Sequence, residues 1–222
     1  MRYGLLIAAL LCFWLTSGIE SQSIAGEFNE VKSYLDPAPE WESLPNANGD
    51  PLAFSDFKDA NVLVVAFTCN SCPYAVDYED RLIHLTEHYK ASDKNVQVVA
   101  INVNLVDADL LDAMKVRAKE KSFPFPYLFD ETQQIARAYG ASRTPEFFVL
   151  NKDRQIVYMG AFDDDTNADQ TSKHYVKDAI EAALKGDRQE VVETVPIGCS
   201  IRFLSEREMD RYKKKQARKK NS

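Results

Sequence analysis

Residues 62–67, Val-Leu-Val-Val-Ala-Phe, are apolar without interruption, and this run constrains the fold more than any other feature. It does not alternate polar with apolar, so it does not suit a strand with one face in water. It reads as a strand buried on both sides. Residues 96–103 form a second apolar strand. Between the two lies a helical segment from Pro73 to about Tyr89, with Tyr74, Tyr78, Leu82, Leu85 and Tyr89 recurring near every 3.6 residues. Strands of this kind alternating with helices imply a sheet covered on both faces.

The alternation continues. Residues 109–121 are predicted helical, with Leu110, Leu111, Met114 and Ala118 on one side. Residues 127–129 are a brief strand, and 132–139 a short helix stopped by Gly140. Residues 147–150 and 156–159 flank the turn Asn151-Lys152-Asp153-Arg154 as a hairpin, which makes the sheet mixed. Residues 175–184 close the domain as a helix, with Gly186 beyond it. Upstream, residues 27–35 have weak helical spacing, ended by Asp36-Pro37-Ala38-Pro39. Strand-like pieces at 41–44 and 52–54 flank Asn48-Gly49-Asp50 as an N-terminal hairpin.

The chemistry sits at the end of the first strand. Cys69-Asn70-Ser71-Cys72-Pro73 places two cysteines three residues apart at a strand-to-helix join. A helix N-terminus favours the thiolate, and the thiolate is the nucleophile. Cys69 is the expected attacker and Cys72 the resolver: attack on a disulfide gives a mixed disulfide, and Cys72 then closes the Cys69–Cys72 bond. Pro73 suits a first helical turn. Thr144-Pro145, ahead of the strand at 147–150, is a candidate cis peptide whose Thr144 backbone would pair with an extended substrate beside the cysteines. Asn70 and Ser71 join Thr144 and Pro145 as candidate substrate-binding residues. A zinc site is the competing use of a C-x-x-C, but the chain has no second such pair to complete it.

Other features have two readings each. Cys199, in Pro196-Ile197-Gly198-Cys199-Ser200-Ile201, is either an additional redox sulfur or a free thiol packed as a small hydrophobe. Asp163-Asp164-Asp165 is a cation site or, the better reading, a solvated acidic turn. His84 and His88 stand four apart on one helix and could share a metal, or be chance neighbours; His174 reads as a surface residue.

Composition bounds the partners. The formal charge is −7, yet residues 211–222 carry seven Lys and Arg and no acid, so without them it falls to −14. A body that acidic excludes nucleic acid as a partner. The basic tail is either a solvated helix end or a weak contact for an anionic membrane surface. At the other end, Arg2 precedes an apolar stretch over 5–15, small residues at 16–18 and the small-x-small pattern Ser23-Ile24-Ala25. Residues 1–25 thus read as a signal peptide, with Cys12 in the discarded part, and the protein as exported: periplasmic if bacterial, otherwise secreted. An uncleaved membrane anchor is the lesser alternative. The remaining divisions are a linker or short helix at 26–40, the main domain at 41–190, and a C-terminal extension at 191–222.

Residues 44–186 resemble the thioredoxin superfamily. The similarity is to the branch of exported redoxins shared by thioredoxin-like oxidoreductases and the alkyl hydroperoxide reductase/thiol-specific antioxidant group. It rests on Leu52-Ala53-Phe54-Ser55-Asp56-Phe57, Cys69-Asn70-Ser71-Cys72-Pro73, Gly140-Ala141-Ser142-Arg143-Thr144-Pro145 and Gly160. It implies a thioredoxin-like α/β fold, a central mixed sheet with helices on both faces. It implies a cis-proline at Pro145 facing the site and a nucleophilic first cysteine at Cys69. It also implies thiol-disulfide oxidoreductase activity on a protein or small disulfide, with a redox partner and no cofactor. A peroxidase is the alternative, since peroxidases of the superfamily place a threonine three residues ahead of the attacking cysteine, where Cys69 precedes Cys72. A binding module with a permanent disulfide is the third. The chain departs from thioredoxin in its Asn-Ser dipeptide and in Thr68, where a tryptophan would stand.

Overall fold

The computed structural model describes residues 26–220; the signal-peptide reading of 1–25, Cys12 included, lies outside them. The apolar run expected to be a doubly buried strand is β1, Val62–Phe67, and all six of its residues are fully buried. It is the middle of a five-stranded sheet. β2 (Val96–Asn102) runs parallel beside it and β3 (Tyr127–Phe129) parallel beyond that. On the other side β5 (Glu146–Leu150) and β6 (Ile156–Gly160) are antiparallel, giving the order β3-β2-β1-β5-β6. The sheet is mixed, as the late hairpin predicts.

Side chains alternate across β1 and so feed two cores. Val62, Val64 and Ala66 pack under α2 (Glu79–Lys90), α3 (Leu111–Glu120) and α5 (Tyr175–Lys185), through Leu82, Met114, Val176 and Ile180. Leu63, Val65 and Phe67 pack on the opposite face against Trp41, Phe54, Phe57 and, from α4 (Gln134–Tyr139), Ala136 and Tyr139. Gly140 ends α4 in the left-handed conformation, φ 70°. The result is a thioredoxin-like α/β fold.

Several sequence expectations are corrected. The helix over 27–35 does not form. Its amides find other acceptors instead: those of Glu27, Phe28 and Asn29 the Glu193 carboxylate, those of Val31 and Lys32 the Asn29 Oδ1 (2.9 Å), and that of Leu35 the Ile156 O of β6 (2.7 Å), so its backbone is satisfied without a helix. The N-terminal hairpin shrinks to one bridge, Leu44 with Leu52, because Pro45 and Pro51 next to it have no N–H to extend a ladder; Phe54–Phe57 is a 3-10 turn. The helix from Pro73 breaks at Tyr78 into α1 (Pro73–Asp77) and α2. The third helix starts at Leu111, after a 3-10 turn at Asp107–Asp109.

The acidic turn is not simply solvated. Asp163 is buried, 2.6 Å from Arg81 Nη1, and accepts from Tyr78 Oη at 2.8 Å. The basic tail is helix α6 (Glu206–Lys220), laid against the body by Tyr212 Oη donating to Glu131 (3.0 Å) and by Lys219 near Asp107 (3.4 Å). Among the described residues no helix is long and apolar enough to cross a membrane.

Candidate functional site

Cys69 and Cys72 stand where β1 passes into α1. The Thr68 amide still donates to Ile101 O at 3.0 Å, so sheet geometry persists to the start of the motif. Cys72 is the N-cap of α1 with extended backbone, and Pro73 fills the first turn, where a missing N–H is no loss.

The dipeptide between the cysteines is held by a residue the sequence did not single out for this. Asp109 is fully buried. Its Oδ1 accepts from the amides of Asn70 (2.8 Å) and Ser71 (2.9 Å), and its Oδ2 from Ser71 Oγ at 2.6 Å. Asn70 Nδ2 donates to Ala108 O (2.9 Å), and Tyr127 Oη donates to Asn70 Oδ1 (3.0 Å). The Asn70 and Ser71 side chains are therefore engaged with the 107–109 turn. The only local hint of Asp109's role is an acid ahead of a helical apolar pair, which says nothing about a loop 39 residues earlier.

Thr144 meets both sulfurs from the other side. The Thr144-Pro145 bond is cis. Thr144 Oγ1 lies 3.4 Å from Cys69 Sγ, and the Cys72 thiol donates to Thr144 O at 3.0 Å. The turn leading to Thr144 is held by the buried carboxylate of Glu146, whose Oε2 accepts from the amides of Ser142 (2.8 Å) and Arg143 (3.0 Å). Burial pushes the Glu146 carboxyl up to about 7, although those amides oppose the shift.

The Thr144 backbone edge is not open, as the substrate-pairing expectation requires. β4 (Arg143–Thr144) pairs antiparallel with β7 (Cys199–Ser200), Thr144 opposite Cys199. Gly198 permits this approach: a Cβ there would lie 2.2 Å from Thr144 O. Cys199 thereby joins Cys69, Cys72 and Ala75 in one cluster of buried and half-buried residues, and all three sulfurs are free thiols.

The charges distribute against the expectation for the first cysteine. Burial raises the Cys69 pKa, helped by the Asp109 charge; the Thr144 hydroxyl and the Cys72 amide pull it down but do not prevail. At Cys72 burial also opposes the thiolate, but hydrogen bonds from the Cys199 thiol, from the amides of Ala75 and Cys199 and from Thr144 outweigh it, and the pKa falls. Cys199 shows the reciprocal effect. Its proton is held by the Cys72 sulfur, and its pKa is pushed up to about 11. Of the three thiols, Cys72 is the one whose pKa is lowered.

The remaining sequence candidates lie apart. His84, His88 and His174 are exposed. Among the described residues no group of three His, Cys, Asp or Glu is disposed to hold a metal ion.

Comparison with known proteins places these features in context. The redoxin family model matches residues 35–178. An uncharacterized conserved protein from Geobacillus kaustophilus has a similar crystal structure: 33% identity, TM-score 0.72, covering 78% of this chain and 94% of that one. A hypothetical protein from Sinorhizobium meliloti is similar at 32% identity and TM-score 0.72, covering 80% and 98%. The thiol-disulfide oxidoreductase ResA of Bacillus thuringiensis is 27% identical over 117 residues, 51% of this chain. The match spans 62% of that relative, less than two thirds of its length. With the family model matching residues 35–178, well over half of its length, this chain belongs to the redoxin family.

Proposed function

We propose that this protein is a thiol-disulfide oxidoreductase working through Cys69 and Cys72. One observation carries the reading: both sulfurs sit at the strand-to-helix join, and both are hydrogen-bonded to Thr144, next to cis Pro145. The name of the similar ResA protein, a thiol-disulfide oxidoreductase, supports the same chemistry.

Cys69 attacks the substrate disulfide, which approaches over Ser71 and Asn70, with Thr144 and Pro145 backing the sulfurs. Cys69 reacts as its thiolate, which the Thr144 hydroxyl and the Cys72 amide support. The Cys69–substrate disulfide forms and one substrate thiolate leaves, taking up the proton that Cys69 gave away. Cys72 then attacks Cys69 sulfur, the Cys69–Cys72 bond closes, and the second substrate thiolate departs. Two electrons pass from the protein dithiol to the substrate, and a redox partner reverses the charge. Cys72→Ser is expected to accumulate mixed disulfides at Cys69 when challenged with a disulfide substrate. Adducts found only at another cysteine would reject the assignment.

The lowered pKa of Cys72 favours a second reading, peroxide reduction. There the Cys72 thiolate attacks the peroxide oxygen, releases water or alcohol as the sulfenic acid forms, and condenses with a neighbouring thiol. Peroxide consumption by the purified protein with a thiol donor distinguishes the two.

We further infer that the protein is exported, on the strength of Arg2 and the apolar stretch at 5–15. The mass of the mature chain checks this: an intact N-terminus in the exported fraction would reject a cleaved signal. Contact of α6 with anionic lipid is a weaker part of the same reading, checked by vesicle binding with and without residues 211–222.

A further inference from the structure

We propose that Cys199 is a third redox sulfur, carried on a built-in strand that fills the slot beside Thr144, and that the disulfide of Cys69 and Cys72 passes to Cys72 and Cys199. This rests on the Cys69–Cys72 pair being an exchange dithiol.

The placement of Cys199 is built rather than incidental. β7 pairs with β4 in the register that sets Cys199 opposite Thr144, whose carbonyl also takes the Cys72 thiol. Immediately after β7 the Ile201 amide donates to Ser142 O at 2.9 Å, and its side chain is buried in the second core. Farther on, Gln133 Nε2 donates to Arg202 O (3.0 Å), and Gln133 Oε1 accepts the Leu204 amide (2.8 Å). On the other side Arg143 Nη1 donates to Gly198 O at 3.3 Å. The segment is tied down before and after its cysteine, in the way an added strand docks on a sheet edge. What the sequence assigned to an incoming peptide is done by the chain's own C-terminal extension.

Access points the same way. Cys69 and Cys72 are 2% and 3% exposed, while Cys199 is only half buried. Cys199 and Cys72 line an open groove of about 510 Å³, shared with Asn104, Val106, Arg202 and Arg211. A disulfide confined to Cys69 and Cys72 meets this groove only at the largely buried Cys72 sulfur. One between Cys72 and Cys199 faces the groove, and exchange there needs no displacement of β7.

The step balances. Cys199, as its thiolate, attacks the Cys72 sulfur of the Cys69–Cys72 disulfide. The Cys72–Cys199 bond forms, the Cys69–Cys72 bond breaks, and Cys69 leaves as a thiolate that takes up the proton Cys199 gave away. No electrons enter or leave. The proton on Cys199 is held mainly by the Cys72 sulfur. Once Cys72 is in a disulfide its sulfur can carry no charge and holds that proton less strongly, so Cys199 ionises more readily when it is needed.

The test uses the full chain in glutathione buffers of graded potential, quenched with N-ethylmaleimide, digested with trypsin and mapped by mass spectrometry. Cleavage after Lys58, Arg81, Arg188 and Arg202 puts Cys69 and Cys72 on one peptide and Cys199 on another. Wild type is expected to yield the two peptides cross-linked, with maleimide on Cys69. In Cys69→Ser the cross-link becomes the major oxidised species, independent of protein concentration; in Cys72→Ser it is lost. No cross-link in wild type at any potential overturns the proposal, as does a cross-link through Cys69. Should Cys69→Ser not fold, the wild-type map decides alone. Cys199→Ser separates the two readings. If it closes the Cys69–Cys72 bond while wild type gives no cross-link, only the Cys199 proposal fails. If it cannot close that bond, the underlying dithiol reading fails as well.

Discussion

At the scale of single residues, two groups near the site sit away from their ordinary ionisation. The Cys72 pKa is lowered because the Cys199 thiol and nearby amides, donating to its sulfur, outweigh the burial that opposes them. In a Cys69→Ser background, Cys199→Ala therefore raises the Cys72 pKa, and alkylation by iodoacetamide at neutral pH slows several-fold. An unmoved pH-rate profile would show that Cys199 gives Cys72 no support. Glu146 is the second group. Its carboxyl is 3% exposed and titrates at about 7 against an ordinary 4.5. Between those values the folded chain keeps a proton that the unfolded chain has released. Stability thus falls as pH rises through the window, by up to about 3 kcal/mol. Glu146→Gln keeps an acceptor for the Ser142 and Arg143 amides and carries no charge. It is expected to match wild type at pH 4 and to exceed it by about that amount at pH 8; denaturation curves that stay parallel across pH would refute this.

Among the elements, the strand-to-helix join is held by one loop contact. Asp109→Ala would leave the Asn70 and Ser71 amides and the Ser71 hydroxyl without their buried acceptor. A loss of about 2–4 kcal/mol is expected from urea denaturation, with faster amide exchange at residues 70 and 71. A change below about 0.5 kcal/mol would mean the loop is held by α1 alone. This contact marks where sequence reading stops. The sheet was legible because β1 is apolar at every position, which only burial on both faces explains, and because the turn at 151–154 announces the β5–β6 hairpin. The cysteine pair and Thr144-Pro145 were legible from type and spacing. Asp109 was not, since the partner of a buried carboxylate is set by how two loops meet. Nor was the fate of the Thr144 edge: nothing local to Cys199 says that its strand docks there. The helix expected at 27–35 failed for the same reason, because long-range bonds to Glu193 and Ile156 outweighed a weak local preference.

Across the whole molecule, the chain ends close the sheet. An exposed edge strand invites pairing with other chains, and both edges here are covered. β3 is capped by the loop at 45–47, through Ala47 N–H to Tyr127 O (2.8 Å) and Phe129 N–H to Pro45 O (2.9 Å). β6 is covered at Ile156 by the N-terminal segment and at Met159 by the C-terminal extension, where the Thr194 amide donates to Met159 O at 3.0 Å. The two coverings are joined by one carboxylate: Glu193 accepts from the amides of Glu27 (2.8 Å), Phe28 (2.8 Å) and Asn29 (2.6 Å). Bonds from three amides to one charged group are among the stronger kinds, and the extension that carries Glu193 also carries Cys199. Glu193→Ala is expected to release residues 27–33 from the C-terminal extension at a cost of about 1–3 kcal/mol. Amide exchange at residues 27–29 should quicken, and trypsin should cut after Lys32 sooner than in wild type. The sheet itself stays closed, because Leu35 and Ala38 keep their own bonds to β6. Unchanged protection at residues 27–29 would show that the N-terminal segment is held by β6 without help from the C-terminal extension, and that the two ends of the chain are independent.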